Sequence, residues 1–141
     1  MSDLAFVTGA TGFVGANLVR FLLQKGFMVR ALVRKKSNLK NLDGLAVEHV
    51  LGDLHDLPAL SAGAQGARYI FHVAADYRIW VPNPDEMFAT NIQGTENVIQ
   101  AAKDAGVHRL IHCSSVAAIK PITGCKATED SHYQNVDELI G

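Results

Sequence analysis

Short apolar runs and longer segments of helical periodicity alternate along the whole chain. Five runs are rich in β-branched or aromatic residues and bounded by Gly, Asp or other polar residues: Leu4–Thr8 (LAFVT), Met28–Val33 (MVRALV), Val47–Leu51 (VEHVL), Tyr69–Val73 (YIFHV) and Arg109–Cys113 (RLIHC). That is the pattern of strands. Between the first two, Val14, Leu18, Phe21 and Leu22 recur at helical spacing and Gly26 supplies a left-handed stop. Before the fifth, Asn83-Pro84-Asp85-Glu86 predicts a helix start, with Asn as cap, Pro in the first turn and Glu closing a capping box. Phe88, Ile92, Thr95, Ile99 and Ala102 then predict one inward stripe, which Gly106 ends. Parallel strands need such crossovers, and right-handed crossovers place helices on both faces of the sheet. The expectation is an α/β doubly wound fold, a five-stranded parallel sheet in the order 3-2-1-4-5, across residues 1–141.

Composition removes several classes. The 141 residues, nearly half of them apolar, suffice for one buried core, and no repeat, low-complexity tract or linker divides them. Thirteen Lys+Arg against fourteen Asp+Glu leave a formal charge of −1, so no global basic field exists to hold nucleic acid or an anionic membrane. Leu4 to Val19 is uncharged but too short to span a bilayer, and it follows Asp3 where a leader would carry a basic residue. Cys113 and Cys125 lack CxxC spacing and give no disulfide framework, which makes a reducing cytoplasm the expected compartment.

Ligands in this architecture sit at the carboxyl ends of the strands. Directly after the first strand comes Thr8-Gly9-Ala10-Thr11-Gly12-Phe13-Val14-Gly15, a TGxxGxxG pattern opening a helix. Gly9 permits a tight turn, Gly12 lets a pyrophosphate approach the backbone, and Gly15 allows the helix to pack closely on the strand. The amides near Phe13 and Val14 then face the anion, so Gly9, Thr11, Gly12, Phe13, Val14 and Gly15 are the expected dinucleotide contacts. No Gly-Lys-Ser/Thr occurs, which argues against a P-loop triphosphatase.

The second strand runs out into Arg34-Lys35-Lys36-Ser37, with no acid between Asp3 and Asp43 to hold a ribose 2′-OH. Arg34 is first in line to pair with a 2′-phosphate, so NADP is expected, with NAD as the alternative. A solvated charge run is the other reading of these three residues. After the third strand, Asp53 and Leu54 lie where an adenine would sit, although Asp53 also suits a helix cap. After the fourth, Ala74 and Ala75 are small enough for close backbone approach to a cofactor.

VTGATGFVG, GDLHD, HVAA, NIQGTENVI and HCSSVAAI follow the order and spacing of the extended short-chain dehydrogenase/reductase family, and the resemblance covers essentially the whole chain. Within it the chain is most similar to dihydroflavonol 4-reductase-like proteins, while HVAADYRIW and NPDEMFATNIQGTENV resemble the bacterial hopanoid-associated sugar epimerases. The resemblance implies a Rossmann fold, a cytoplasmic NAD(P)-binding enzyme, a Ser/Thr-Tyr-Lys triad and a substrate lobe contributed by the C-terminal part. Ser115, or its neighbour Ser114, matches the triad serine that hydrogen-bonds the reacting carbonyl or alcohol. Asp53 and Leu54 match adenine contacts, and Ala74 and Ala75 the segment beside the ribose and phosphates. Asn91 matches an Asn that organises the site, or is simply a packing residue of its helix.

The triad also needs Tyr-x-x-x-Lys, in which Lys lowers the pKa of the proton-transferring Tyr. Tyr69, Tyr77 and Tyr133 are followed four residues on by Val73, Val81 and Asp137, none of them a lysine. The stretch from Asn135 to Gly141 resembles the lead into that motif, so the chain is expected to be part of a longer protein and inactive alone. The expected reaction of the whole is hydride transfer between nicotinamide and a carbonyl or secondary alcohol. A nucleotide-sugar epimerase would use the same machinery, and a homodimer is one form the intact protein could take. A non-catalytic NADP-binding sensor or interaction module is the alternative from another class.

Other residues carry weaker signals. His108 and His112 are four apart, but on a strand they stand roughly 13 Å from each other, too far to share a metal ion. His72 reads as a packed core histidine, and Tyr77 and Trp80 either line a substrate pocket or cover the core.

Overall fold

The computed structural model describes residues 2–78 and 80–133. Its strands are β1 (Leu4–Thr8), β2 (Met28–Val33), β3 (Val47–Leu51), β4 (Tyr69–His72) and β5 (Arg109–His112), all parallel in the order β3-β2-β1-β4-β5. The connections hold helices α1 (Phe13–Gln24), α2 (Leu57–Ala64) and α3 (Pro84–Asp104), with 3-10 turns at Lys40–Leu42 and Val116–Ala118. The strand assignments agree with expectation to within a residue. The β2–β3 crossover differs from the helix expected of such connections, since its 3-10 turn instead drops Leu42 into the core.

Alternation along β1 divides the core. Phe6 joins Leu32, Leu60, Ile70 and Val98 beneath α2 and α3, whereas Ala5 and Val7 face Val19, Leu22, Val29 and Val33 beneath α1. The inward faces of the helices match the hydrophobic spacing only in part: Leu22 and Ala102 are buried and Leu18 packs against the core, but the rest of each face differs. In α1 the buried residues are Gly15, Ala16, Val19 and Leu22, while Val14 and Phe21 are each 54% exposed. In α3 they are Gly94, Val98, Ala101 and Ala102; Phe88, Ile92 and Ile99 lie largely outside the core. The buried α3 face thus keeps Ala102 of the expected stripe but extends to Gly94, Val98 and Ala101, each one residue before a member of that stripe. Close approach explains it: a Cβ at Gly94 would lie 2.8 Å from Leu54 Cβ, so the helix turns its smallest residues inward and sits lower on the sheet. The Asn83 cap holds, accepting from Asp85 N–H at 3.1 Å, and Gly26 and Gly106 end α1 and α3 with positive φ.

One cation is structural. The Arg30 guanidinium reaches from the middle of β2 to the end of α2, where Nη1 donates to the carbonyls of Gly63 and Gln65, each at 2.9 Å, and of Ala62 at 3.3 Å. Its Nε lies 3.0 Å from Glu48 Oε1 but out of line for a hydrogen bond, so this contact is an ion pair only. A positive charge on the last carbonyls of a helix opposes the negative end of its dipole. Replacing Arg30 with Met should therefore destabilise the fold by about 1.5–3 kcal/mol, and Lys should recover only part of it, as read by urea denaturation of the intact protein.

Candidate functional site

The strand order reverses between β1 and β4, and the glycine loop lies at that switch point. Gly9 turns the chain at φ +74°, and a Cβ there would come within 2.6 Å of Ala74 N and 2.8 Å of Ala74 Cα. The loop leaving β1 thus rests directly on the backbone leaving β4. At Gly15 a Cβ would collide with the carbonyl oxygen of Gly9, so α1 begins pressed against the loop and not against the strand as expected. Gly12 is the N-cap of α1; no side chain caps it, and the first turn holds no acid. A Cβ at Gly12 would meet only Gly9 O, at 3.4 Å, and Phe13 and Val14 beside it are exposed. Uncapped amides at the positive end of a helix, with open space in front, suit a phosphate. The loop is braced from behind, where Asn41 Nδ2 donates to Thr11 O at 2.9 Å and Arg20 Nη2 to Asn41 O at 2.7 Å.

Beside this cradle, Arg34, Lys35, Lys36, Leu51, Gly52, Asp53 and Asp56 line an open groove of about 600 Å³ between the ends of β2 and β3. Ser37 folds the chain back there, donating N–H to Arg34 O at 2.9 Å while its Oγ accepts from Arg34 N–H at 3.2 Å. The Arg34 guanidinium forms no hydrogen bond or ion pair among the described residues. Asp53 makes a local turn with His55 N–H at 2.8 Å, and the helix-capping role considered for it belongs to Asp56, which accepts from Ala59 N–H at 3.0 Å. Leu54 is buried beneath Gly94 and gives its carbonyl to Asn97 Nδ2 at 2.9 Å. Its side chain belongs to the core.

Sequence reasoning missed the polar array beneath the loop. Thr8 and His72 are register partners on β1 and β4, both buried. Thr8 Oγ1 lies 2.7 Å from His72 Nδ1 and accepts from Ala74 N–H at 3.3 Å. On the other side His72 Nε2 is 3.0 Å from Thr95 Oγ1, which donates to Asn91 O at 2.6 Å. The Asn91 side chain grips both backbone groups of Asp76, Oδ1 accepting from N–H and Nδ2 donating to C=O, each at 2.8 Å. The Asn91 side chain thereby holds the loop after β4. Two polar residues closing adjacent core strands were the available signal.

Ala74 is half-buried against Gly9, while Ala75 is exposed. Asp76 carries Arg78 on its carboxylate, Nε to Oδ1 at 2.9 Å, and that hydrogen bond holds the Asp76 pKa below its usual range. Tyr77 and Trp80 project outward, 87% and 79% exposed, so neither covers the core. Ser115 stands beyond β5, exposed, its Oγ accepting from Ala117 N–H at 3.2 Å. Asp137 and the rest of the stretch from Asn135 lie outside the described residues. Among those residues no group of three His, Cys, Asp or Glu gathers to hold a metal, and no helix is long and apolar enough to cross a membrane.

The sheet order and the glycine loop at its switch point define a Rossmann-type domain. More narrowly, the chain belongs to the NAD dependent epimerase/dehydratase family, whose model matches residues 5–138. A Synechocystis protein provisionally named a dihydroflavonol 4-reductase is 45% identical over 141 residues, 100% of this chain and 41% of the relative. The crystal structure of gox2253 superposes with a TM-score of 0.87 at 44% identity, over 94% of this chain and 41% of that one. A short-chain dehydrogenase/reductase superfamily protein from Agrobacterium tumefaciens, solved with bound NAD, gives a TM-score of 0.70 at 34% identity, over 82% and 34%. The chain therefore spans about two fifths or less of the length of these relatives.

Burial, then the neighbouring His112 of β5, pushes the His72 pKa from 6.5 down to about 4. Between those values the unfolded chain binds a proton that the folded one refuses, so stability falls as pH drops from about 6.5 and the loss is complete below about 4. The shift corresponds to about 3 kcal/mol. The stability difference between wild type and His72→Gln, measured by urea unfolding, should shrink by that order from pH 7 to pH 4. A difference that stays constant with pH would contradict this.

Proposed function

We propose that residues 1–141 form the dinucleotide-binding part of an NADP-dependent oxidoreductase of the dihydroflavonol 4-reductase-like kind, whose substrate lobe lies in the remainder of the intact protein. The observation that carries it is the glycine cradle, whose uncapped α1 amides open toward solvent beside a groove fronted by Arg34. Gly9, Thr11, Gly12, Phe13, Val14 and Gly15 would hold the pyrophosphate, with Ala74 and Ala75 beside it. Asp53 and the Leu54 backbone would meet the adenosine in the groove. Arg34, whose guanidinium makes no hydrogen bond or ion pair among the described residues, would pair with a 2′-phosphate and so favour NADP over NAD. The two exposed thiols, Cys113 and Cys125, fit a reducing cytoplasm.

A bound nicotinamide supplies or accepts the hydride at C4. Ser115 Oγ already accepts from Ala117 N–H, which leaves its own proton to donate to a substrate carbonyl oxygen. The family's description makes a nucleotide-sugar epimerase the second reading, since its oxidation and reduction require the same groups.

Two measurements on the intact protein test the assignment. Arg34→Ala should weaken NADPH binding by roughly tenfold or more and leave NADH nearly unchanged; equal losses, or a wild-type preference for NADH, would remove Arg34 from its role. Ser115→Ala should lower kcat by roughly a hundredfold or more with little change in cofactor affinity. An unaltered rate would reject Ser115 as the oxygen-orienting group.

A further inference from the structure

The buried array beneath the glycine loop admits one economical placement of its protons. Asn91 O can only accept, so the Thr95 hydroxyl proton points at it across 2.6 Å. Thr95 Oγ1 is then an acceptor toward His72, and the proton in that 3.0 Å contact sits on Nε2. On the far side Ala74 N–H donates to Thr8 Oγ1, whose own proton goes to a bare His72 Nδ1 at 2.7 Å. Each proton then has an acceptor, and each nitrogen of the neutral ring is used once. A second proton on the ring would occupy the space between Nδ1 and Thr8 Oγ1 and deprive the buried Thr8 hydroxyl of its acceptor.

The geometry ties this array to the cradle. Ala74 is the residue on which Gly9 rests. Two residues on, Asp76 is gripped through its backbone by the Asn91 side chain, and the Asn91 carbonyl terminates the relay through Thr95. Both ends of the 74–76 segment are thus fastened to the same turn of α3, one directly and one through His72.

We propose that His72, held neutral with its proton on Nε2, is a positioning residue for the dinucleotide: it transmits the placement of α3 to Ala74 and so keeps the glycine loop open in its binding shape. The inference rests on the reading of the glycine loop as the dinucleotide site. The neighbours of the ring are consistent with a neutral form. β5 offers His112, with ring centroids 5.1 Å apart, β1 and α3 offer only the hydroxyls of Thr8 and Thr95, and no carboxylate among the described residues acts on it. Burial and His112 both oppose its charging.

Thr95→Val in the intact protein tests the idea, because the substitution removes the Nε2–H acceptor, and the side-chain hydrogen bonds of Thr95 go to His72 and Asn91, not to the glycine loop or residues 74–76. By calorimetry, the dissociation constant for whichever of NADPH and NADH the wild type binds more tightly should rise roughly five- to tenfold, and Thr95→Ser should restore it. Nitrogen-15 NMR of the wild type at neutral pH should show one protonated and one bare ring nitrogen, with the proton on Nε2. This second reading holds even if Thr95→Val fails to fold. Unchanged affinity in a folded Thr95→Val protein, or an Nδ1–H or doubly protonated ring, overturns the role of His72 alone. A wild type that takes up neither dinucleotide overturns the site itself and this inference with it.

Discussion

Backbone can lie against backbone only where no Cβ intervenes, and the structure of this domain depends on that condition at the crossing of the β1 and β4 exits. Gly9 rests on Ala74, and Gly15 rests on the carbonyl of Gly9, so loop, strand exit and helix start form a single contact. Side chains at either glycine would lift α1 from the sheet and turn its first amides away from their present direction. The same condition recurs at Gly94 against Leu54 and at Gly63, where a Cβ would meet the Phe6 ring. Small residues set the height of the helices above the sheet, and that height in turn fixes where the helix ends project.

Polar groups are buried where the strands end, and full pairing is what makes their burial tolerable. Thr8 and His72 occupy sheet positions whose neighbours on the same face are Phe6 and Ile70, yet every polar atom of the two side chains has a partner. Arg30 does the same for the end of α2, satisfying carbonyls that the helix leaves open. In the groove, by contrast, Arg34, Lys35 and Lys36 face solvent opposite Asp53 and Asp56. Charges left in water retain most of their hydration and can exchange it for a ligand, whereas the paired buried groups cannot.

The sheet was readable from the sequence because parallel core strands repeat one signal, a β-branched run closed by a turn residue. The glycine loop was readable because its spacing reflects a backbone requirement. Helix faces were readable only in part, since hydrophobic spacing gives weight to Val14, Phe21, Phe88 and Ile92, while the buried faces are chosen by Gly15, Ala16, Gly94 and Ala101, which score as weakly apolar. Of the Thr8–His72–Thr95–Asn91 array, only the two polar strand ends left a signal in the sequence. The members of the array come from β1, β4 and α3, and only the register Thr8↔His72 and the rotation of α3 bring them together. Asp56 was passed over as the cap of α2 because Asp53, three residues earlier, fits the same local rule.

The two halves of the proposed site differ in what holds them. The glycine cradle is fixed by buried bonds and by backbone contact, so its geometry follows from the core. Ser115 is held by short turns, Ala117 N–H to its Oγ and Ala118 N–H to its carbonyl, within a segment where Val116 and Ile122 are exposed. Local turns fix the shape of a segment but not its direction relative to a site some residues away. A preformed cradle can bind a dinucleotide with little rearrangement, since binding costs mainly the ordering of groups not yet ordered. Hydride transfer demands more, because the reacting atoms must be brought to within roughly 3–3.5 Å in a defined orientation. On the role proposed for Ser115, its direction must be set by packing against groups beyond those that form the cradle, so that the proposed binding and chemistry rest on separable sets of contacts.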